Sequence, residues 1–255
     1  MSTRSIKRRG FIGLAAAAGA GAALWHLKEE PVPEPPVDDW DAGSVAHILP
    51  CASHERFCLK VSFHRPPPDV PLLQVGEHRV IGEQTDTEGL FFRFDIAGLA
   101  PDTDYVLRLQ TRRGHPLCAD WPLRTLPHPD APAEHFRLLA YTCAGGPEHL
   151  YNTPLFHVWL PNPVRQHLFA RGLSYRPHAV LSIGDHVYWD LRSTSFLGSS
   201  WRAKQVAGHF DRQQRILGTS NEGVLKRAVG PQIAGIYGVQ FRSTPVFFVQ
   251  DDHDY

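Results

Sequence analysis

One arrangement, used three times, constrains this chain more than anything else in it: a short apolar run that stops at side chains able to hold a metal. The run Ala179–Ile183 is followed by Gly184, then Asp185 and, three residues on, Tyr188. A few apolar residues bounded by turn signals read as a strand buried on both faces, and the glycine frees the backbone to turn where the donors begin. The run from Phe136 to Tyr141 leads in the same way to Thr142-Cys143-Ala-Gly-Gly. A third, from Thr244 to Val249, leads to Gln250-Asp251-Asp252-His253-Asp254. In an open α/β sheet, ligands collect beyond the carboxyl ends of the strands, so the three ends are expected to meet at one site.

The N-terminus reads as an address. Arg4, Lys7, Arg8 and Arg9 precede an apolar run from Gly10 to Trp25, of signal-peptide length and short of the ~20 residues a spanning helix needs. Arg8-Arg9-Gly-Phe11-Ile12 resembles the R-R-x-F-[LI] core of a twin-arginine signal, and residues 1–27 are assigned to it. The expectations are a periplasmic or secreted protein, the twin-arginine export machinery as a partner, and membrane contact through this segment alone. A Sec signal or an uncleaved anchor is the alternative. Residues 28–43 form a Pro-rich acidic tether that cannot pack a core.

From 44 to 126 the chain changes to short alternating segments, Phe57–Phe63, Leu90–Ile96 and Tyr105–Gln110, separated by turn signals such as Arg65-Pro-Pro-Pro, as expected of a small β-sandwich. A second Pro-rich link, 127–135, precedes a region from 136 to 255 in which strands and helices alternate. There, Asn162 to Gly172 predicts a helix with Asn at the cap, Pro163 in the first turn, Val164, Leu168 and Phe169 on the apolar face, and Gly172 at the stop. Pro147 to Leu160 is ambiguous, whereas Trp201 to Gly218 and Asn221 to about Val229 read as polar and helical.

Composition excludes some functions. Lys plus Arg and Asp plus Glu are 26 each, so nothing marks a nucleic-acid-binding surface or a site for anionic membrane. Most of the 15 histidines, among them His26, His47, His64, His78 and His115, lie outside clustered ligand spacing and are expected at the solvated surface. Cys51, Cys58 and Cys118 fall in the first half and Cys143 stands apart. No C-x-x-C supports a zinc ribbon, and one disulfide within the first domain is plausible without the sequence choosing its pair.

The strand-end residues suit hydrolytic metal chemistry. Asp185 offers a carboxylate able to bridge two cations, Tyr188 a phenolate suited to Fe(III), Cys143 a thiolate, and Asp251 and Asp252 further carboxylates. His253 is placed to give a proton to a leaving group. Each has a plainer reading taken singly: Cys143 as a buried apolar residue or disulfide partner, Tyr188 as a core aromatic, Asp251 as a helix cap.

These motifs resemble a family. Gly184-Asp185-His-Val-Tyr188 is similar to the G-D-x-x-Y signature of metallophosphoesterases of the purple acid phosphatase and alkaline phosphatase D types. Asp251-Asp252-His253-Asp254 resembles the D-D-H-E run of the alkaline phosphatase D (PhoD-like) family, with Asp254 in place of Glu. Thr142-Cys143 matches that family's S-C. Purple acid phosphatases would instead carry G-N-H-E. Leu99-Ala-Pro-Asp-Thr-Asp-Tyr105 resembles the corner of fibronectin type III domains, where the Tyr hydroxyl ties back to nearby backbone.

The resemblance implies a fibronectin III-like β-sandwich followed by a partial α/β metallophosphoesterase domain, an incomplete four-layer sandwich. It implies metal contact by Cys143, Asp185, Tyr188, Asp252 and, less directly, Asp251, with His253 as proton donor or phosphate-binding residue and with Fe(3+) and Ca(2+) as cofactors. The implied activity is hydrolysis of a phosphate ester by a metal-activated hydroxide in a monomer. The family continues past this run, so the chain is read as the N-terminal portion of such an enzyme, with low or no turnover alone. The alternative is a non-catalytic secreted fibronectin-like module with a degenerate phosphatase remnant.

Overall fold

The computed structural model describes residues 34–132, 134–144, 146, 160–192 and 207–254, without the side chains of 191 and 192. The signal of 1–27, most of the ambiguous 147–160 stretch and Tyr255 lie outside the described residues. Among the described residues no helix is long and apolar enough to cross a membrane.

Eight strands precede the second Pro-rich link: β1 (Val45–Ala52), β2 (Arg56–Phe63), β3 (Leu72–Val75), β4 (His78–Ile81), β5 (Glu83–Gln84), β6 (Phe91–Ala97), β7 (Asp104–Gln110) and β8 (Trp121–Arg124). They form two four-stranded antiparallel sheets in the orders β1-β2-β6-β5 and β4-β3-β7-β8. Alternation along each strand sends one set of side chains inward. Ile48, Phe57, Leu59, Val61, Leu73, Val75, Phe94, Leu107, Leu109, Trp121 and Leu123 are buried there in one cluster. Each such side chain contributes roughly 1.5–3 kcal/mol through burial. The hydroxyl of Tyr105 accepts a hydrogen bond from Ala100 N, five residues back, at 2.7 Å.

The remaining strands, β9 (Leu138–Tyr141), β10 (Ala179–Ile183) and β11 (Val246–Val249), form a parallel sheet in the order β11-β10-β9. The register puts Leu139, Tyr141, Val180 and Val246 on one face. They pack there with Phe169 of α1 (Asn162–Ser174) and with Ile236, Tyr237 and Phe241. Leu138, Ile183 and Val249 fall on the opposite face and stay about half exposed. Helix α2 (Trp189–Arg192) follows β10, and α3 (Ser220–Gln232) precedes β11.

Several expectations are corrected. The helix at 162 is capped by Pro161 with no side-chain cap bond, so Asn162 is its first residue, and it runs past Gly172 to Ser174. Gly172 is there for contact: an added Cβ would lie 2.8 Å from Leu139 Cδ2. Arg165, not Leu168, shares the buried face with Phe169, because its guanidinium bonds the Leu160 and Ala144 carbonyls; Leu168 is 61% exposed. Residues 207–219 are turns rather than helix, and α3 begins after Thr219, whose hydroxyl accepts from Asn221 N. Pro231 brings no N–H to the ladder, and just beyond it the helix widens into a π turn over Ile233–Tyr237. His47 is not at the surface: it is 2% exposed, its Nδ1 against Ser62 Oγ.

The two sheet systems are docked through polar contacts as well as packing. Ile48 N donates to Gly238 O at 3.0 Å, and Leu49 packs on the second cluster. Glu222 of α3 accepts from Thr87 N at 2.7 Å and from Thr87 Oγ1 at 2.8 Å. Lys226, one turn on, bonds Asp86 at 2.6 Å, Glu222 at 2.9 Å and Glu88 at 3.1 Å.

Candidate metal centre

Parallel pairing brings the ends of β9, β10 and β11 to one edge. Beyond β10, Gly184 (φ +70°) and Asp185 (φ +54°) both adopt the left-handed backbone region, as does Cys143 (φ +52°) beyond β9. The two turns lie side by side: Cys143 N donates to Gly184 O and Ala144 N to Asp185 O, each at 3.2 Å, while Thr142 Oγ1 donates to Ile183 O at 2.6 Å. Two non-glycine residues held at positive φ are costly, of order 1–3 kcal/mol each, and such strain concentrates at functional sites.

Asp185 is at the centre and is buried at 8% exposure. Its Oδ2 accepts from Cys143 Sγ at 3.2 Å and from the Tyr188 hydroxyl at 2.9 Å. Its other oxygen, Oδ1, is buried with no hydrogen-bond partner. Burial alone would raise the pKa of this carboxyl, but the bonds from Cys143 and Tyr188 and the nearby His253 outweigh it and hold the group below its usual value. Tyr188 is buried and its phenol is raised well above the ordinary range, first by burial and then by its bond to Asp185. The Tyr188 backbone N–H is fixed by Gln232 Oε1 at 2.9 Å.

From β11 come Asp252 and His253, on a 3₁₀ turn over Asp252–Asp254. Asp185, Asp252 and His253 each offer a ligand atom, and these three atoms lie within 4.8 Å of one another. The His253 ring lies 4.5 Å from that of Tyr188, and its Nδ1 is 2.9 Å from both oxygens of Asp190. Burial works against protonation of His253, but the Asp190 bond and the charges of Asp190, Asp185 and Asp252 prevail and its pKa is raised.

Of the six residues singled out in the sequence, the structure brings Asp185, Asp252 and His253 into one trio. Cys143 and Tyr188 join it through hydrogen bonds to Asp185. Asp251 is placed differently: its Oδ1 accepts from Asp252 N at 2.9 Å, capping the 3₁₀ turn, and it lies against Gly184, where an added Cβ would be 2.4 Å from Asp251 Cβ.

Two further acids matter. Asp254, its side chain 5% exposed, accepts from Asp185 N at 3.0 Å, His186 N at 2.9 Å and Asp251 N at 2.9 Å, thereby latching the β10 end to the β11 end. Its place in the D-D-H-D run marked it, though not the latch. Asp190, which orients His253, carried no signal in the sequence, since it lies on α2 at no motif spacing.

The donor set fits a cation. A buried carboxylate oxygen without a partner and a second carboxylate within one small sphere are hard ligands whose negative charge asks for compensation, and the imidazole of His253 lies beside them.

No family model and no curated protein matches the sequence. A solved structure is similar to it. That structure is described as "Structure of PhoD" and aligns at 15% identity with a TM-score of 0.46, covering 86% of this chain. The chain spans 40% of the length of that structure. At this identity and score the likeness carries no weight on chemistry, which rests on the site itself.

Proposed function

We propose that the chain carries the strand-end metal cluster of a phosphoric-ester hydrolase of the alkaline phosphatase D type. The observation that supports this most is the unpartnered buried Oδ1 of Asp185 in one trio with Asp252 and His253. In this reading Asp185 and Asp252 hold the cation, with Cys143 and Tyr188 as further ligands once their protons are lost; Fe(3+) and Ca(2+) are the candidates. When bound, the metal would supply a Lewis acid that polarises the phosphoryl group and makes a nucleophile available near neutral pH.

The chain's own residues have separate tasks. Asp254 fixes the backbone on which Asp185 rides, so the carboxylate is held without rearrangement. Asp190 accepts from His253 Nδ1 and so leaves Nε2 to carry the proton toward a leaving alkoxide. Export of the folded protein through the Arg8-Arg9 signal would suit a site loaded before translocation.

The test is hydrolysis of bis(p-nitrophenyl) phosphate and p-nitrophenyl phosphate by metal-loaded chain. Slow but metal-dependent turnover, abolished by chelator and by Asp185→Asn, is expected. Turnover that survives both treatments would reject this cluster as its source, and a chain that binds metal stoichiometrically yet hydrolyses neither ester would reject the reading in favour of a non-catalytic module.

A further inference from the structure

The register of the first sheet sets two cysteines face to face. Cys51 of β1 is the direct Cα partner of Cys58 of β2, and both are half-buried and free. Ile48 N points away from β2, to Gly238 O, and Pro50 has no N–H to give, whereas Ser53 N bonds Arg56 O. Cys51 and Cys58 therefore share the parity of the hydrogen-bonded pairs, with Cα atoms about 5.5 Å apart. A disulfide needs a Cα separation of roughly 4.4–6.8 Å. The other two thiols are poorly placed to compete: Cys118 is 5% exposed, its thiol pushed up to about 12 chiefly by burial, and Cys143 belongs to the other sheet system.

We propose that Cys51 and Cys58 are a redox-modifiable pair that closes into a cross-strand disulfide by exchange with a low-molecular-weight disulfide and reopens on reduction. The surroundings favour attack from Cys58. Arg56 and Lys60 flank Cys58 two residues away on either side along β2, and Arg93 stands opposite Lys60 on β6, their charge partly offset by Asp95, which pairs with both arginines, and by Glu83, which pairs with Arg93. These cations draw an anionic external disulfide, such as oxidised glutathione, to Cys58 first.

The Cys58 thiolate attacks the external disulfide, forming a mixed disulfide and releasing one thiolate. Cys51, after losing its proton to solvent, attacks the Cys58 sulfur and releases the second. The pair gives up two electrons and two protons, and the external disulfide is reduced to two thiols. Side chains of a hydrogen-bonded pair stand farther apart than those of the alternate positions, so the bridge forms under strain and is readily reduced.

Trypsin reads the linkage directly. Cleavage after Arg56 places Cys51 on one peptide and Cys58 on Phe57–Lys60. After incubation of the full chain with oxidised glutathione, the expected result is these two peptides joined with the loss of two hydrogens, and separated when the native protein is first exposed to dithiothreitol. Cys51→Ser and Cys58→Ser each abolish the joined species, while Cys118→Ser leaves it unchanged. A glutathione adduct persisting on Cys58, a bridge between any other two cysteines, or a Cys51–Cys58 bridge that resists native-state reduction would each overturn the proposal. Peptide mapping of the unsubstituted protein decides the matter even where a serine variant fails to fold.

Discussion

At the scale of single residues, the candidate centre depends on groups that serve it without being ligands. The Asp254 carboxylate accepts three backbone N–H groups from two strand ends. Asp254→Asn turns an amide toward those donors, and a loss of about 2–3 kcal/mol in urea unfolding is expected, as for hydrogen bonds to a charged group. A loss within about 0.5 kcal/mol would show the latch to be incidental. His47 gives a second test. Burial, then the Lys60 charge, lowers its pKa from 6.5 to about 4, so the folded state holds it neutral while the unfolded chain takes a proton below 6.5. Stability from this group is complete above pH 6.5 and is lost as the pH falls toward 4, by up to about 3 kcal/mol. In His47→Gln, urea midpoints measured over that window should lose this part of the slope; an unchanged slope would contradict the assignment. His47 was misplaced in the sequence because its partners, Ser62 across the ladder and the ring of Phe91 on β6, are distant in sequence.

At the scale of elements, β10 and the turn after it do most of the positioning. The strand and its glycine were legible, since an apolar run closed by Gly184 before acidic donors has few other readings. So were β9 and β11, and with them the convergence of three strand ends. Of the helix read from 201 to 218, residues 201–206 lie outside the described residues, and the turns of 207–218 were not legible because polar residues such as Gln213 and Gln214 suit turns as well as a solvated helix. The end of α3 was missed because Pro231 and Gly230 look like a stop, while tertiary packing carries the chain on into the π turn. Gly184→Ala puts a methyl 2.4 Å from Asp251 Cβ at φ +70°. A loss of roughly 1–3 kcal/mol from the backbone alone is expected, with weaker metal retention because the two strand ends must separate. Wild-type stability in this variant would mean the turn is slack.

At the scale of the molecule, two sheet systems are clasped by Glu222 and Lys226 of α3 against the loop from Asp86 to Glu88. The Thr87 and Gly218 N–H groups lower the Glu222 pKa from 4.5 to about 2. Its contribution is therefore complete above pH 4.5 and disappears as the pH falls through 2. Lys226, raised by its three carboxylate partners against the opposing effect of burial, stays charged throughout. Glu222→Gln should flatten the acid limb of the stability profile between those values, and an unaltered limb would show that the clasp is not ionic. The clasp was invisible in the sequence, since its members lie more than a hundred residues apart. What the clasp and the parallel sheet hold in register is the cluster around Asp185. Metal content per chain, measured by elemental analysis after loading with Fe(3+) and Ca(2+) and desalting, tests that cluster most directly. Stoichiometric metal in the wild type and its loss in Asp185→Asn is the predicted result; a wild type that retains none, or an Asp185→Asn variant that retains as much, would contradict it.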